Sequence, residues 1–226
     1  YRVARAHGMS DAAYVSLVET LDAAIAEVDG AGFRVTPLTS DPGLLEGVDL
    51  WLKDETGNVS GSHKARHLMA VMVYLAVLEA LELPISRGLR QRSLAIASCG
   101  NAALGAAVVA RAARWPLDVF IPPDASPAVV ARLDALEARV HVCSRADATP
   151  GDPCVHAFRA AVAGGSLPFG VQGNENGLAV EGGKVLAYEL VDQLADQLAE
   201  EGRGLAALFV QVGGGALGSG CMQGLR

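Results

Sequence analysis

The sequence predicts an α/β fold, a three-layer αβα arrangement with mostly parallel sheets divided between two α/β lobes. Two observations carry this. From residue 93 onward, short apolar runs alternate with longer helical periodicities, the rhythm of βαβ units. Hydrophobic residues make up 51% of the chain and aromatics only 5%, a mix that suits helices packed closely on a sheet better than aromatic-rich strands in a sandwich. At 226 residues the chain can bury one large or two small apolar cores.

In chain order, Ser10 is placed to cap a helix whose apolar face is Ala13, Leu17, Leu21, Ala24, Ile25 and Val28, with Gly30 and Gly32 stopping it. Residues 48–53 alternate like a strand. A turn-rich stretch follows over 55–62, then a helix over 64–81, with Pro84 and Gly88 at its exit. Strands are expected over 93–97, 117–121, 139–143, 169–171 and 207–212. The helices between and after them are expected over 102–114, 127–136, 153–163 and 182–200, with a last one after the glycines at 213–215. The Pro- and Asp-rich piece 147–153 reads as a loop. Parallel strands joined by helices put the ligand-binding loops along one edge of the sheet, at the strand carboxyl ends.

The net charge of −7 argues against a nucleic-acid binder, because no basic stripe is available to meet phosphates. The longest apolar run, 68–83, is interrupted by Glu79 and Glu82 and is too short to span a bilayer, so no membrane partner is expected. Cys99, Cys143, Cys154 and Cys221 include no C-x-x-C pair, which fits a reduced, cytoplasmic setting. The first residues lack the apolar core of a secretion signal.

Three loops carry chemistry. In Asn58 through Arg66, Lys64 falls at a helix N-terminus, where free backbone N–H groups and the helix dipole disfavour an ammonium. A neutral lysine amine is what Schiff-base chemistry needs, and the same N–H groups suit a phosphate. A lysine taken alone is more often an exposed surface residue. In Ser98-Cys99-Gly100-Asn101, directly after a buried strand, Gly100 lets the backbone approach a ring and Asn101 offers an amide to an exocyclic oxygen. An ordinary helix N-cap would look the same. Gly213-Gly214-Gly215-Ala216-Leu217-Gly218 lies between a strand and a helix, as a phosphate cradle does. It also fits the dinucleotide fingerprint G-x-G-x-x-G, whose acidic ribose partner would fall beyond residue 226.

Together and in this order the motifs resemble the fold-type II, tryptophan-synthase-β-like family of pyridoxal-phosphate enzymes. Its members share a T-P-L opening (Thr36-Pro37-Leu38), K-x-E (Lys53-Asp54-Glu55), N-P-T-G-S-F-K-x-R (Asn58 through Arg66), S-x-G-N (Ser98 through Asn101) and a glycine tetrad (Gly213 through Leu217). The resemblance implies pyridoxal 5′-phosphate as cofactor, with Lys64 forming the Schiff base and then moving the Cα proton. It implies Asn101 on the pyridine 3′-oxygen and backbone N–H groups of Gly213, Gly214, Gly215, Ala216 and Leu217 on the phosphate; His63 is a candidate phosphate contact, with a structural histidine as the alternative. Ser98, Gly100 and Asn101 would hold the substrate carboxylate. His63, where most members have Phe, is similar to tryptophan synthase β. Ser98-Cys99-Gly100-Asn101 is similar to threonine synthases and serine/threonine dehydratases, and Glu181-Gly182-Gly183-Lys184, followed by Ala187-Tyr188-Glu189, to the E-G-x-K-T-x-A-x-E stretch of threonine synthases, with Val185 where a Thr is usual; Ala216 interrupts the tetrad.

The implied domain plan is 1–84 for the N-terminal part of a large cofactor lobe, 85–165 for a smaller mobile lobe, and 166–226 for the return to the large lobe. A further C-terminal part, supplying a partner to the pyridine nitrogen, is expected outside this sequence; Cys221 lies too close to the loop for that role. The activity implied is an amino-acid lyase acting on a serine- or threonine-like or diamino acid, as a cytoplasmic homodimer. Threonine-synthase-like γ-replacement and cysteine-synthase-like β-replacement are the alternatives, with a non-catalytic relative from another class. A nicotinamide-dependent dehydrogenase built on the last βα unit would leave Lys64 and Asn101 unexplained.

Overall fold

The computed structural model describes residues 1–41, 43, 46–144, 150–200 and 204–226, the stretch 196–200 by its backbone only. Within these lie α1 (Arg2–Ala6), α2 (Asp11–Asp29), β1 (Leu38–Ser40), β2 (Trp51–Lys53), α3 (Lys64–Ala80), β3 (Leu94–Ala97), α4 (Asn101–Ala112), β4 (Leu117–Ile121), α5 (Pro127–Ala135), β5 (Arg139–Val142), α6 (Pro153–Ala163), β6 (Leu167–Pro168), α7 (Leu178–Glu200) and α8 (Ala216–Gly224). The fold is mixed α/β. A four-stranded parallel sheet in the order β5-β4-β3-β6 is joined by helical crossovers, and β1 and β2 form a separate antiparallel pair.

The three layers follow from strand alternation. Leu94, Ile96, Leu117, Val119 and Ile121 belong to the main core with α4, while Ala95 and Phe120 point the other way onto Cys154 and Phe158 of α6. Helix α3 is apolar on almost every side and is accordingly buried, packed against α2, α4 and α7. Helix α2 begins as its sequence indicates: Ser10 Oγ accepts from Ala13 N–H at 3.2 Å, and Gly30 closes it at φ 86°.

Three expectations need correction. The strand placed over 169–171 lies two residues earlier at Leu167–Pro168, with Phe169 N–H adding one ladder bond to the Ala95 carbonyl. The helix placed over 182–200 starts at Leu178, where Asn176 Oδ1 accepts from the Leu178 N–H. Gly182 and Gly183, whose type suggests a helix boundary, lie inside it instead. They are there for approach distance: a Cβ on Gly182 would sit 2.2 Å from the Arg66 carbonyl oxygen, and one on Gly183 would be 2.9 Å from His67 Cε1. The segment 207–212 is not a strand: it has no ladder partner among the described residues, and Phe209 is 90% exposed. Its apolar composition favours a strand, but a strand forms only where a neighbour supplies the hydrogen bonds. The loop expected over 147–153 lies partly outside the described residues.

Gly182→Ala should therefore force α7 away from α3 and cost at least about 1–3 kcal/mol, the scale of overpacking a tight core. Urea denaturation monitored by circular dichroism checks this against Gly177→Ala, where a Cβ meets nothing within 4 Å and stability should hold.

Candidate functional site

Lys64 is the first residue of α3, half-buried, at the helix N-terminus its motif indicates. Among the described residues its ammonium has no hydrogen-bond or ion-pair partner, and burial lowers its pKa from the usual lysine value. His63 precedes it as N-cap, with its side chain making no cap bond. Burial, then the neighbouring charges of Lys64 and His67, holds His63 down at about 4, so it is neutral near pH 7. Among the described residues its buried Nε2 has no hydrogen-bond partner, and neither has Ser60 Oγ on the preceding turn, where Ser60 stands at φ 56°. Two orphaned polar atoms beside an unpaired lysine are what a site for a polar ligand leaves when the protein alone does not satisfy it.

The other two loops reach this point through close helix packing. Helix α4 opens at Asn101, directly after Ser98 and Gly100, with the Gly100 N–H 3.4 Å from Ser98 Oγ. One turn in, a Cβ on Gly105 would be 3.3 Å from the Ala65 backbone nitrogen and 3.2 Å from Ser60 Oγ, so the first turns of α3 and α4 touch. On the other side of α3, His67 meets Gly183 of α7, and Gly183 meets the carbonyl of Ala216, the first residue of α8. The loop Gly213-Gly214-Gly215 leads into α8, with Gly215 at φ 78° as its N-cap, a left-handed turn that glycine adopts without strain. Thus the N-termini of α3, α4 and α8 gather around the first turn of α3. Each offers backbone N–H groups without intrahelical partners, the arrangement that binds an anion. Asn101, Gly213 and Gly214 are exposed, while Ser98, Gly100, Gly215 and Leu217 are half-buried and Ala216 is buried.

Behind the site lies a polar cluster whose members the motifs contain but to which sequence reasoning assigned no role. The Arg66 guanidinium, 3% exposed, is forked onto two carboxylates. Nε and Nη2 donate to Glu55 at 2.8 and 3.0 Å, and Nη1 and Nη2 donate to Glu189 at 2.6 and 3.1 Å. Lys53 Nζ donates to Glu189 Oε2, to Gln193 Oε1 and to the Thr36 carbonyl, each at 2.7 Å. Thr36 Oγ1 donates to Glu55, and Asn58 Nδ2 donates to Glu55 at 2.9 Å. Burial alone would raise both carboxyls, but the Arg66 bonds outweigh it and hold Glu55 and Glu189 below their ordinary range. His67 donates from Nδ1 to the Ala179 carbonyl at 2.6 Å, a bond that sets its tautomer because the acceptor carries no proton. The one available sequence signal was that Thr36, Lys53, Glu55, Asn58, Arg66 and Glu189 all fall in motifs.

Two cavities, of about 670 and 950 Å³, lie elsewhere, and Lys64 lines neither. The larger is lined by Arg66 and Glu189 among others.

Residues 31–226 match the family model for pyridoxal-phosphate dependent enzymes. The chain belongs to that family. No curated protein matches it. Among solved structures, diaminopropionate ammonia lyase from Escherichia coli, in complex with an aminoacrylate-PLP azomethine reaction intermediate, is similar over 92% of this chain and 54% of its own, at 22% identity and a TM-score of 0.68. Threonine deaminase isoform 2 from Solanum lycopersicum covers 95% of this chain and 53% of its own, at 20% identity and 0.67. Serine racemase from Dictyostelium discoideum covers 90% and 59%, at 19% identity and 0.64. The chain thus spans somewhat more than half the length of these structures. Pyridoxal 5′-phosphate is the cofactor indicated, and the residues present fit it: an amine with lowered pKa, unsatisfied buried polar atoms and converging helix N-termini. Among the described residues no single helix is long and apolar enough to cross a membrane.

Two outcomes follow for this pyridoxal-phosphate family member. Arg66→Met leaves Glu55 and Glu189 buried without their shared cation and should cost about 3–5 kcal/mol in urea denaturation. The second concerns His63, whose folded-state pKa of about 4 lies below its ordinary 6.5, so the unfolded chain takes up the proton first as pH falls. The resulting stability is full above pH 6.5 and is lost as pH falls through about 4, on the order of 1–2 kcal/mol once solvent screening of the partly exposed ring is allowed for. Denaturation midpoints of the cofactor-free chain should fall across that window, and His63→Gln should flatten the slope.

Proposed function

We propose that this chain is the Lys64-bearing part of an amino-acid lyase that eliminates a β-substituent from, and deaminates, a serine- or threonine-like or diamino acid. The observation that carries the reading is Lys64 itself: half-buried, unpaired, at a helix N-terminus and flanked by orphaned polar atoms. The relatives named above include an ammonia lyase and a deaminase, which supports elimination over replacement. When bound, pyridoxal phosphate supplies an electron sink conjugated to the amino-acid Cα. Lys64 would be the covalent attachment point and, once displaced by substrate, the base that takes the Cα proton as the β-substituent leaves. A lowered pKa suits both tasks, because each needs the free amine. Asn101 would donate its amide to the ring 3′-oxygen. Backbone N–H groups of Gly213, Gly214, Gly215, Ala216 and Leu217 would hold the phosphate at the α8 N-terminus, with a ring N–H from neutral His63. Ser98, Gly100 and Asn101 hold the substrate carboxylate with hydroxyl, amide and backbone donors. A homodimer is proposed with this reading.

The test is borohydride reduction of protein incubated with pyridoxal phosphate, followed by peptide mass mapping. A reduced adduct is expected on the peptide carrying Lys64 and should be lost in Lys64→Ala. Labelling of another lysine instead would overturn the assignment. Ammonia and keto-acid release from L-serine, L-threonine and diaminopropionate, measured on the complete protein, then separates elimination from replacement, which releases neither.

A further inference from the structure

A second reactive feature lies two strands away from Lys64's neighbourhood and is independent of the function proposed above. Cys143 follows β5 directly, and Cys154 is the second residue of α6. Cys154 is buried with Ala95, Phe120 and Phe158, and Cys143 packs against that cluster. Both line the cavity of about 670 Å³, together with Pro122, Asp124 and Asp152. Cys143 thus packs on the cluster that buries Cys154, beside the same cavity, and Cys143 Sγ donates to the His141 carbonyl oxygen at 3.6 Å. All four cysteines are free thiols, Cys99 exposed and Cys221 buried in α8. Among the described residues no group of three or more His, Cys, Asp or Glu side chains is arranged to hold a metal. Two adjacent thiols with no further ligand leave thiol–disulfide chemistry as their natural reaction.

We propose that Cys143 and Cys154 are a redox couple that closes to an intramolecular disulfide on meeting a low-molecular-weight disulfide, tying the carboxyl end of β5 to the first turn of α6. The half-exposed Cys143 reacts first. Its thiolate attacks one sulfur of the small disulfide, and the other half leaves as a thiolate. Cys154 then gives its proton to solvent and attacks the Cys143 sulfur, expelling the second small thiol. The protein loses two thiol hydrogens, and one small disulfide is reduced to two thiols. The two cysteines divide the roles by exposure. Burial, with Cys143 and Asp152 adding to it, pushes the Cys154 thiol up to about 12, so Cys154 is slow toward reagents in solution and depends on a sulfur delivered beside it. The bridge would close one wall of the cavity on the sheet edge that also carries the Ser98–Asn101 loop, at the carboxyl end of β3.

The experiment treats the full chain with oxidised glutathione, blocks remaining thiols by alkylation under denaturing conditions and maps the peptides by mass. Wild type should give a Cys143–Cys154 cross-linked peptide with no glutathione retained on either residue. Cys154→Ser should trap glutathione on Cys143, in more than about tenfold excess over wild type, and Cys143→Ser should leave Cys154 as the free thiol. Wild type that keeps glutathione on Cys143 while Cys154 is alkylated would overturn the proposal. So would a bridge from either residue to Cys99 or Cys221, or a Cys143 that does not react. The wild-type map decides the matter even if a variant fails to fold.

Discussion

The structure around Lys64 depends on one buried guanidinium. Arg66 is the second residue after the lysine, and its two forked pairs bind Glu55, which follows β2, and Glu189 in the middle of α7. Through Thr36 and Lys53 the same cluster reaches β1 and β2. Four chain segments far apart in sequence are thus held in register by charge-assisted bonds at the base of the α3 N-terminus. The formal charges balance, Lys53 and Arg66 against Glu55 and Glu189, which is the condition under which burying such groups is tolerable. Buried ion pairs contribute little net stability against a well-packed apolar alternative, but their directionality fixes orientation. Here the orientation fixed is that of the helix end on which Lys64 stands.

The fold was legible wherever local signals agreed. The strand at Leu117–Ile121 and the helix at Pro153–Ala163 have the bounds their patterns indicate, because β-branched and apolar alternation, Pro at the helix start and an Asp cap all point the same way. It was not legible where tertiary contact overrides local preference. Gly182 and Gly183 look like a helix boundary, yet they are interior positions chosen for the absence of a side chain against Arg66 and His67. Phe209 and its neighbours look like a strand, yet a strand is a property of a pair, and no periodicity within one segment reveals its partner. For the candidate site, motif order brought Lys64, Asn101 and the glycines into one hypothesis. What it missed was the supporting layer. Thr36, Lys53, Glu55 and Glu189 lie up to 153 positions apart, and no spacing rule connects them. Gly105 carries no signal in sequence at all; only the contact between α3 and α4 gives it a role.

The first turn of α3 also explains why one amine is set apart. Four of the five residues from His63 to His67 are basic, at a helix end whose dipole repels cations. Each of the other three is dealt with differently. Arg66 stays charged because two carboxylates enclose it. His67 is buried, donates to a backbone carbonyl and has its pKa lowered, desolvation outweighing that bond. His63 is held near 4 and is neutral. Among the described residues Lys64 has neither an ion-pair partner nor a hydrogen bond, and desolvation lowers its pKa. A fold that needed only a capped helix would not gather four bases there, since Ser, Thr or Asp caps a helix at lower cost. The same gathering makes sense if an anion completes the set. A dianionic phosphate at the nearby α8 N-terminus would offset the repulsion among these bases and satisfy the His63 ring nitrogen, while leaving the lysine amine free to react.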